Sequence, residues 1–313
     1  MNIRQLRYFL KIVELKSFSK ASKHLRIAQP ALGLQVQKLE EELGVQLLVR
    51  HARGVTPTES GLLLYEHAKI ILRLLERARN EVIEIADSPR GEVAIGLTPT
   101  VSLMVGASLV ETYRTACPNV SLRVVDGLSE ILVEWVAMDR LDLAFTYTRA
   151  GTAGLVREPL VEERLYLVGP GKESSLGRGK VAFERLSDLP LILPSQPHIL
   201  RTLVDEAAAA QGVDLNIHLE IDSVQTMKKL VERSIGYTVL PFGAVRSEVA
   251  EGRVSASQIT APELTRTLYV VFSNRRPPSK AFSILRDVIQ QVVEAEVKVG
   301  SGSWRDAKER ART

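Results

Sequence analysis

Residues 21–50 read ASKHLRIAQPALGLQVQKLEEELGVQLLVR, and the apolar residues of this stretch recur at helical spacing. The spacing predicts a helix that begins near Gln29 and buries Leu32, Val36, Leu39 and Leu43. Pro30 suits the first turn of that helix, where an N–H has no intrahelical partner, and Gly44 is a typical C-terminal stop. A shorter helix over residues 20–25 precedes it, so the stretch predicts two helices joined by a tight turn at Ile27.

The residues on either side extend this helix pair. Upstream, apolar residues on one face predict another helix containing Leu6, Phe9, Leu10 and Val13. Downstream, residues 47–56 predict a two-stranded wing with Gly54 near its turn. The arrangement is typical of a winged helix-turn-helix, whose second helix presents polar side chains to base edges in the major groove of DNA. Periodicity alone leaves an ordinary three-helix cluster equally open.

The positive charge of the chain is concentrated in this module. The net charge is +4, and residues 1–60 contain ten Lys or Arg against five Asp or Glu. The module is therefore basic, whereas the rest of the chain is close to neutral. This distribution favours a polyanion as the partner of the N-terminal module alone.

A long helix is predicted from residue 59 to about residue 87. Its apolar seam has a period of 3.5 residues and consists of Leu64, Ala68, Ile71, Leu75, Ala78, Val82 and Ile85. Such a seam is typical of a coiled coil and predicts a dimer interface along the helix. Further apolar residues beside the seam, Ile70, Leu72 and Leu74, leave packing on the same chain as the alternative. Ser88-Pro89-Arg90-Gly91 then predicts a hinge.

Short β-rich runs alternate with amphipathic helices from residue 92 onward. Strands are predicted at 93–97, 121–125, 141–145, 165–168, 191–193, 216–221, 237–240 and 268–272, and helices at 101–114, 129–138, 199–211, 224–234, 242–250 and 280–295. The alternation predicts mostly parallel sheets with helices on both faces. The expected domains are a DNA-binding domain over 1–58, a linker helix over 59–88, a two-lobed α/β domain over 89–298 and a disordered tail over 299–313.

The individual residues are more specific than their spacing. Residues 21–50 resemble the signature of the LysR-type transcriptional regulators at Ala21, Leu25, Ile27, Ala28, Gln29, Pro30, Ala31, Leu32, Val36, Leu39, Glu40, Leu43, Gly44, Leu47 and Arg50, and the likeness continues through Thr56, Thr58 and Gly61. RYFLKIVE, IAQPAL and RGVTPTE are most similar to the branch that contains the nitrogen assimilation control protein. The predicted architecture fits this family over the whole chain.

The resemblance, together with the exposed face of the second helix and the wing, implies which residues contact DNA. These are Gln29, Pro30, Gly33, Leu34, Gln35, Lys38, Arg50, Arg53 and Thr56. Gln pairs bidentately with adenine, and Lys reaches a phosphate or guanine. The family usually has Ser in place of Gly33, so we expect a relaxed or shifted base preference at that position. The family's usual Phe is replaced by Leu48, a core residue.

The C-terminal part of this family resembles periplasmic binding proteins, which hold ligands between two α/β lobes. The resemblance implies lobe I over about 89–163 and 267–298, and lobe II over about 164–266. Strand ends and helix N-termini meet at such a cleft, where free N–H groups attract anions. We expect a small anionic or polar effector to contact Thr98, Thr100, Ser102, Tyr147, Ser195, Ser223 and Phe242. An ordinary helix cap is the alternative for each hydroxyl taken singly.

Catalytic and metal-binding motifs are absent from the sequence. Five scattered His and one Cys offer no zinc spacing, and the sequence has no P-loop, dinucleotide fingerprint or nucleophile elbow. We therefore expect no enzymatic activity, no cofactor and no metal. A solute-binding protein and an α/β enzyme with an accessory domain remain the alternatives.

The expected surroundings follow from the same observations. No secretory signal or long apolar span occurs, so a cytoplasmic location without membrane contact is expected. The expected partners are double-stranded promoter DNA, a small-molecule effector, further copies of the chain in a homodimer or homotetramer, and RNA polymerase. Activation and repression are equally compatible with this sequence.

Overall fold

The structure is a computed structural model that describes residues 1–52, 54–84, 89–148, 151–171, 179–275, 278–299 and 303–306. For residues 77 and 80–84 it describes the backbone alone. The chain divides into two compact units, Met1–Gly91 and Glu92–Thr313. Each unit has its own buried apolar clusters.

Within its described residues, the N-terminal unit consists of four helices and a β-hairpin. Its helices are α1 (Ile3–Leu15), α2 (Phe18–Leu25), α3 (Gln29–Leu43) and α4 (Glu59–Glu84), and its strands are β1 (Leu48–His51) and β2 (Gly54–Pro57), which pair antiparallel. Ser17 caps α2 by accepting a hydrogen bond from the Lys20 N–H, and Gly44 ends α3 in the left-handed region at φ 68°. The predicted winged helix-turn-helix is confirmed.

The core of this unit contains most of the apolar residues that the spacing selected. Leu32, Val36 and Leu39 of α3 are buried against α1 and α2. Ala21 is fully buried, which lets the two helices of the turn approach closely. Leu43 is 40% exposed, so its predicted burial is wrong. It is the final residue of α3, and the chain turns away at Gly44 immediately after it.

The first part of α4 packs against α1 within the same chain. Ala68 is fully buried with Leu6 and Leu10, and Leu64 packs against the same cluster. Ala68 therefore has no surface left for a second subunit, and its assignment to the dimer seam is wrong. Ile71 and Leu75 remain 38% and 37% exposed. The seam is thus covered by α1 at its beginning and open further along the helix.

The remaining seam residues differ in how much of each the structure describes. Ala78 is exposed, whereas the side chain of Val82 and all of Ile85 lie outside the described part of the chain. The predicted hinge at 88–91 is described from Pro89 only.

The C-terminal unit is an α/β fold. Its helices are α5 (Pro99–Val101), α6 (Ala107–Ala116), α7 (Ser129–Ala137), α8 (Ile199–Gln211), α9 (Val224–Glu232), α10 (Arg246–Ala250) and α11 (Lys280–Lys298), with a π-helical turn at Ser102–Gly106 and 3-10 turns at Phe183–Asp188 and Phe242–Val245. Its strands are β3 (Gly91–Leu97), β4 (Val120–Asp126), β5 (Leu143–Thr146), β6 (Leu155–Pro170), β7 (Lys180–Ala182), β8 (Leu191–Leu193), β9 (Ile217–Glu220), β10 (Thr238–Pro241), β11 (Val254–Thr260), β12 (Thr265–Ser273) and β13 (Trp304–Asp306).

One long strand, β6, organises the sheet. The main sheet has the order β4-β3-β5-β12-β6-β11-β7, and β10 and β13 also pair with β6. Among the described strands, the four partners of β6 all run antiparallel to it, whereas β3–β5, β7–β11 and β8–β9 are parallel pairs. The prediction of mostly parallel sheets is therefore wrong. The sequence pattern predicted only residues 165–168 of β6, because the charged residues before them obscure its buried face.

The first part of β6 pairs with β12 and its last residues pair with β10 and β11. Separate apolar clusters lie along these two parts of the strand. One contains Val161 and Leu268, and another contains Leu165 and Leu167. The strand thus joins two layered cores within one unit.

The end of the chain corrects a further expectation. Within the predicted disordered tail 299–313, Trp304–Asp306 forms β13 and pairs with β6, and Trp304 is only 3% exposed. Burial of the indole ring against α11 and β6 stabilises this segment. Residues 300–302 and 307–313 of that prediction lie outside the described residues. Across the described ranges, no helix has the length and apolar character needed to cross a membrane.

Candidate functional site

The exposed face of α3 and the wing form the first candidate site. Gln29, Pro30, Leu34 and Lys38 are exposed on α3, and Gly33 and Gln35 are half-buried beside them. Thr56 on β2 is also exposed, whereas Arg53 lies outside the described residues. The structure thus places the predicted DNA-contacting residues that it describes on α3 and on the adjoining hairpin.

Arg50 connects the wing to the helix-turn-helix. Its guanidinium lies 4.1 Å from the ring centroid of Phe18, at the start of α2. The same group is next to Gly33, where an added Cβ would lie 3.5 Å from Arg50 Nη2. A Cβ at position 33 would therefore lie in ordinary van der Waals contact with the Arg50 side chain.

The second candidate site is a pocket in the C-terminal unit. It contains about 540 Å³ of atom-free space, including its open mouth. The pocket is lined by Thr98, Pro99, Thr100, Leu128, Ser129, Glu130, Tyr147, Pro194, His198, Ile199, Leu200, Asp222, Val224, Met227, Leu240 and Arg266. These residues come from the strand ends and helix beginnings of both layered cores, so the pocket lies at a junction of the fold that suits a small ligand.

A buried ion pair forms one wall of this pocket. Arg266 Nε and Nη2 lie 2.7 Å and 2.6 Å from Glu163 Oε2, and the Glu163 side chain is fully buried. Arg266 Nη2 also donates a hydrogen bond of 3.2 Å to Thr100 Oγ1. Its guanidinium stacks 3.6 Å from the ring centroid of Tyr147. Glu163 therefore neutralises the buried cation while the cation orders two residues of the pocket.

One buried hydroxyl of the pocket, Thr98 Oγ1, has no hydrogen-bond partner among the described residues. The buried Tyr147 hydroxyl lies beside Thr100 and Glu163, and burial is the main reason that its pKa is raised above the usual value, so the hydroxyl stays neutral. The nearby N-terminus of α7 follows Leu128, which provides no side-chain cap. An unsatisfied buried hydroxyl beside an uncapped helix end suits a polar ligand group.

Two acidic side chains also line the pocket. Glu130 and Asp222 are exposed lining residues. Asp222 accepts hydrogen bonds from the Ser195 hydroxyl at 2.7 Å and the Ser195 N–H at 2.9 Å, and these bonds hold its pKa below the usual value. Burial lowers the pKa of His198, assisted by the positive charge of Arg266. The pocket therefore combines a paired internal cation with two carboxylates near its mouth.

The predicted effector residues separate into two groups. Thr98, Thr100 and Tyr147 line the pocket. The other residues do not line it: Ser195 supports Asp222, Ser223 caps α9 at the Thr226 N–H, Phe242 packs 5.7 Å from the Tyr166 ring, and Ser102 lies in the π-helical turn. For Ser223 the ordinary helix cap accounts for the hydroxyl.

The sequence pattern did not identify several of the lining residues, among them Arg266, His198, Glu130 and Asp222. One signal was available. Val161, Glu163, Leu165 and Leu167 alternate along β6 and share one buried face, so a carboxylate at 163 required a buried cation. The partner on β12 could not be read from the sequence, because strand pairing and register are properties of the folded sheet. Within the described ranges, no group of three or more His, Cys, Asp or Glu side chains is placed to hold a metal ion.

Comparisons with known proteins identify the family of the chain. Residues 3–62 match the bacterial regulatory helix-turn-helix protein model of the lysR family, and residues 86–294 match the LysR substrate binding domain. The chain belongs to the LysR family of transcriptional regulators, with an N-terminal DNA-binding domain and a C-terminal effector-binding domain.

Individual relatives are similar over nearly the whole chain. The nitrogen assimilation regulatory protein nac of Klebsiella aerogenes is 35% identical, covering 94% of this chain and 95% of its own. The protein of the same name from Escherichia coli K12 is 33% identical, covering 95% and 97%. The full-length structure of CbnR complexed with its target DNA is 19% identical, with a TM-score of 0.74 over 93% of this chain and 100% of that chain, and supports the fold. The predicted resemblance to the nitrogen assimilation branch is confirmed.

Proposed function

We propose that this regulator reads promoter DNA with α3 and the wing. Gln29 and Lys38 are exposed on α3, and neither makes a side-chain hydrogen bond or ion pair among the described residues. Gln29 would contact a base edge and Lys38 a phosphate, while Arg50 and Arg53 would reach the backbone or minor groove. The exposure of Gln29 and Lys38 on a rigid helix-turn-helix is the observation that carries this proposal.

We propose that two copies associate through the part of α4 that α1 leaves open. Ile71 and Leu75 supply its apolar contacts, with Ala78 further along the helix. A symmetric dimer would present two α3 helices to a two-fold site in the DNA. A second pairing of dimers gives a homotetramer, and RNA polymerase is the expected partner at the promoter in the cytoplasm.

We propose that the pocket binds a small neutral or zwitterionic effector. The cation Arg266 is already paired with Glu163, and the exposed carboxylates of Glu130 and Asp222 repel a multiply charged anion. The Thr98 hydroxyl, which has no partner among the described residues, is free to exchange a hydrogen bond with the ligand, and the neutral Tyr147 hydroxyl lies in the same wall. The sequence predicted an anionic or polar effector, and the charges of the pocket lining restrict that class to neutral or zwitterionic compounds. Binding would change the DNA-bound arrangement through its different affinity for the two arrangements.

A gel-shift assay with the DNA upstream of the protein's own gene tests the DNA proposal. Specific retardation that a scrambled fragment of equal length fails to compete supports it. Equal affinity for both fragments contradicts sequence-specific reading.

A thermal-shift screen of metabolites sorted by net charge tests the effector proposal. Stabilising compounds are expected among the neutral and zwitterionic classes. The Thr100→Val variant, which keeps the shape and removes the hydroxyl, should lose both the shift and the effect of that compound on DNA binding, and Ser195→Ala should weaken them. Stabilisation by multiply charged anions alone, undiminished in Thr100→Val, contradicts the proposal.

A further inference from the structure

The C-terminal strand β13 reaches the ion pair behind the pocket. The indole N–H of Trp304 donates a hydrogen bond of 2.7 Å to Glu163 Oε1. The other carboxylate oxygen, Oε2, is occupied by Arg266. The two oxygens of one buried carboxylate are thus divided between the end of the chain and the cation of the pocket.

We propose that Trp304 is a positioning residue of the effector pocket, holding the Glu163 carboxylate so that Arg266 stays fixed against Thr100 and Tyr147. This inference rests on the proposed effector role of the pocket. A hydrogen bond to a buried charge cannot be replaced by water without admitting that water into the core. Without the indole N–H, the Glu163 carboxylate turns or becomes hydrated, and the guanidinium of Arg266 loses its fixed geometry.

The backbone of β13 strengthens this link. Trp304 lies opposite Glu163 in the antiparallel register, and the Arg164 N–H donates to the Ser303 carbonyl oxygen at 2.7 Å. The seated strand and the ordered pocket wall therefore form one network. By linkage, a ligand that engages Arg266 or Thr100 changes how firmly β13 is held, and release of β13 changes the affinity of the pocket.

The test is chemical labelling of Arg266 in the full-length, ligand-free protein. Trp304→Phe keeps an aromatic ring in the core and removes the N–H donor. We expect labelling of Arg266 by p-hydroxyphenylglyoxal, followed by peptide mass spectrometry, to become about tenfold faster, as expected for the loss of a hydrogen bond to a charged group. Trp135→Phe removes the other tryptophan and should leave the rate unchanged. Arg201, which pairs with Asp205 and Glu220, is the reference within each digest.

Glu163→Gln separates positioning from packing. It removes the ion pair directly and should release Arg266 whatever Trp304 does. Fast labelling in both Trp304→Phe and Glu163→Gln supports the inference. Fast labelling in Glu163→Gln with an unchanged rate in Trp304→Phe shows that Trp304 only fills space, and unchanged rates in both show that Glu163 does not hold Arg266; either result overturns it. Because no effector is present, these outcomes are independent of whether the pocket is the effector site.

Discussion

The surface of α3 and the wall of the pocket use polar side chains in opposite ways. Gln29 and Lys38 are exposed and have no side-chain partners among the described residues, whereas Arg266 and Glu163 are buried and paired. A side chain whose partner is supplied by another molecule contributes to affinity and little to stability. Removing one member of a buried pair instead lowers the stability of the fold, because it leaves an uncompensated charge in the core. Mutations in the two regions should therefore differ in what they change.

The largest expected effect is the loss of the buried pair. Arg266→Ala should lower the free energy of unfolding by about 3–5 kcal/mol, because Glu163 would remain buried without its counter-ion. Arg286→Ala is the matched control: its pair with Glu158 is 41% exposed on both sides, and such pairs contribute about 0–1 kcal/mol. Urea unfolding of the two variants measures the difference. Equal losses in the free energy of unfolding would contradict the proposed difference between the buried pair and the solvent-exposed pair.

Helix α4 also has a part that is buried under α1 and a part that is exposed, and the exposed part is the proposed dimer interface. Placing Asp at both Ile71 and Leu75 should dissociate the oligomer while the fold persists, since these positions are exposed within one chain. Lys69→Asp introduces the same charge on the opposite face of α4 and should leave the mass unchanged. Light scattering gives the mass and circular dichroism the helix content. An unchanged mass in the double variant would locate the main interface elsewhere.

A smaller effect is expected from the pH dependence of His198. Its pKa in the folded chain is below the ordinary 6.5, so the unfolded chain binds more protons and stability falls as pH drops through 6.5. His198→Asn keeps a side-chain acceptor for the Leu200 N–H at the start of α8 and removes the titration. Its melting temperature should fall less than that of the wild type between pH 7.5 and pH 5.5. Asp222, with a lowered pKa, loses its contribution only in more acidic solution.

The smallest expected effect is at Gly33. Gly33→Ser should raise the stability of the N-terminal unit by about 0.5 kcal/mol, because serine is the better helix former. The space beside Arg50 accepts the added Cβ at ordinary contact distance. Thermal unfolding measures the gain, and selection from a random DNA library should show a changed preference at one base position. A loss of stability would mean that Arg50 does not tolerate the larger residue.

The difference between the exposed face of α3 and the buried ion pair also explains which features could be predicted from the sequence. The helix-turn-helix follows from local periodicity, caps and Gly44, and its polar face needs no partner from elsewhere in the chain. The pocket depends on pairing between distant strands: Arg266 meets Glu163 only because β12 lies beside β6, and Trp304 meets Glu163 only because β13 lies on the other side of that residue. Local hydroxyls such as Thr98 and Thr100 could be found, since they follow a strand and open a helix. The charged residues of the pocket could be identified only from the register of the folded sheet.

Salt-dependent DNA binding by two α3 variants tests the central claim most directly. Affinities of the wild type, Gln29→Ala and Lys38→Ala are measured on the specific upstream fragment and on a scrambled fragment over a series of salt concentrations. Gln29→Ala should lose about 1–3 kcal/mol on the specific fragment alone. Lys38→Ala should weaken both fragments and reduce the salt slope by about one. Wild-type affinities and slopes in both variants would contradict the claim that α3 reads the DNA.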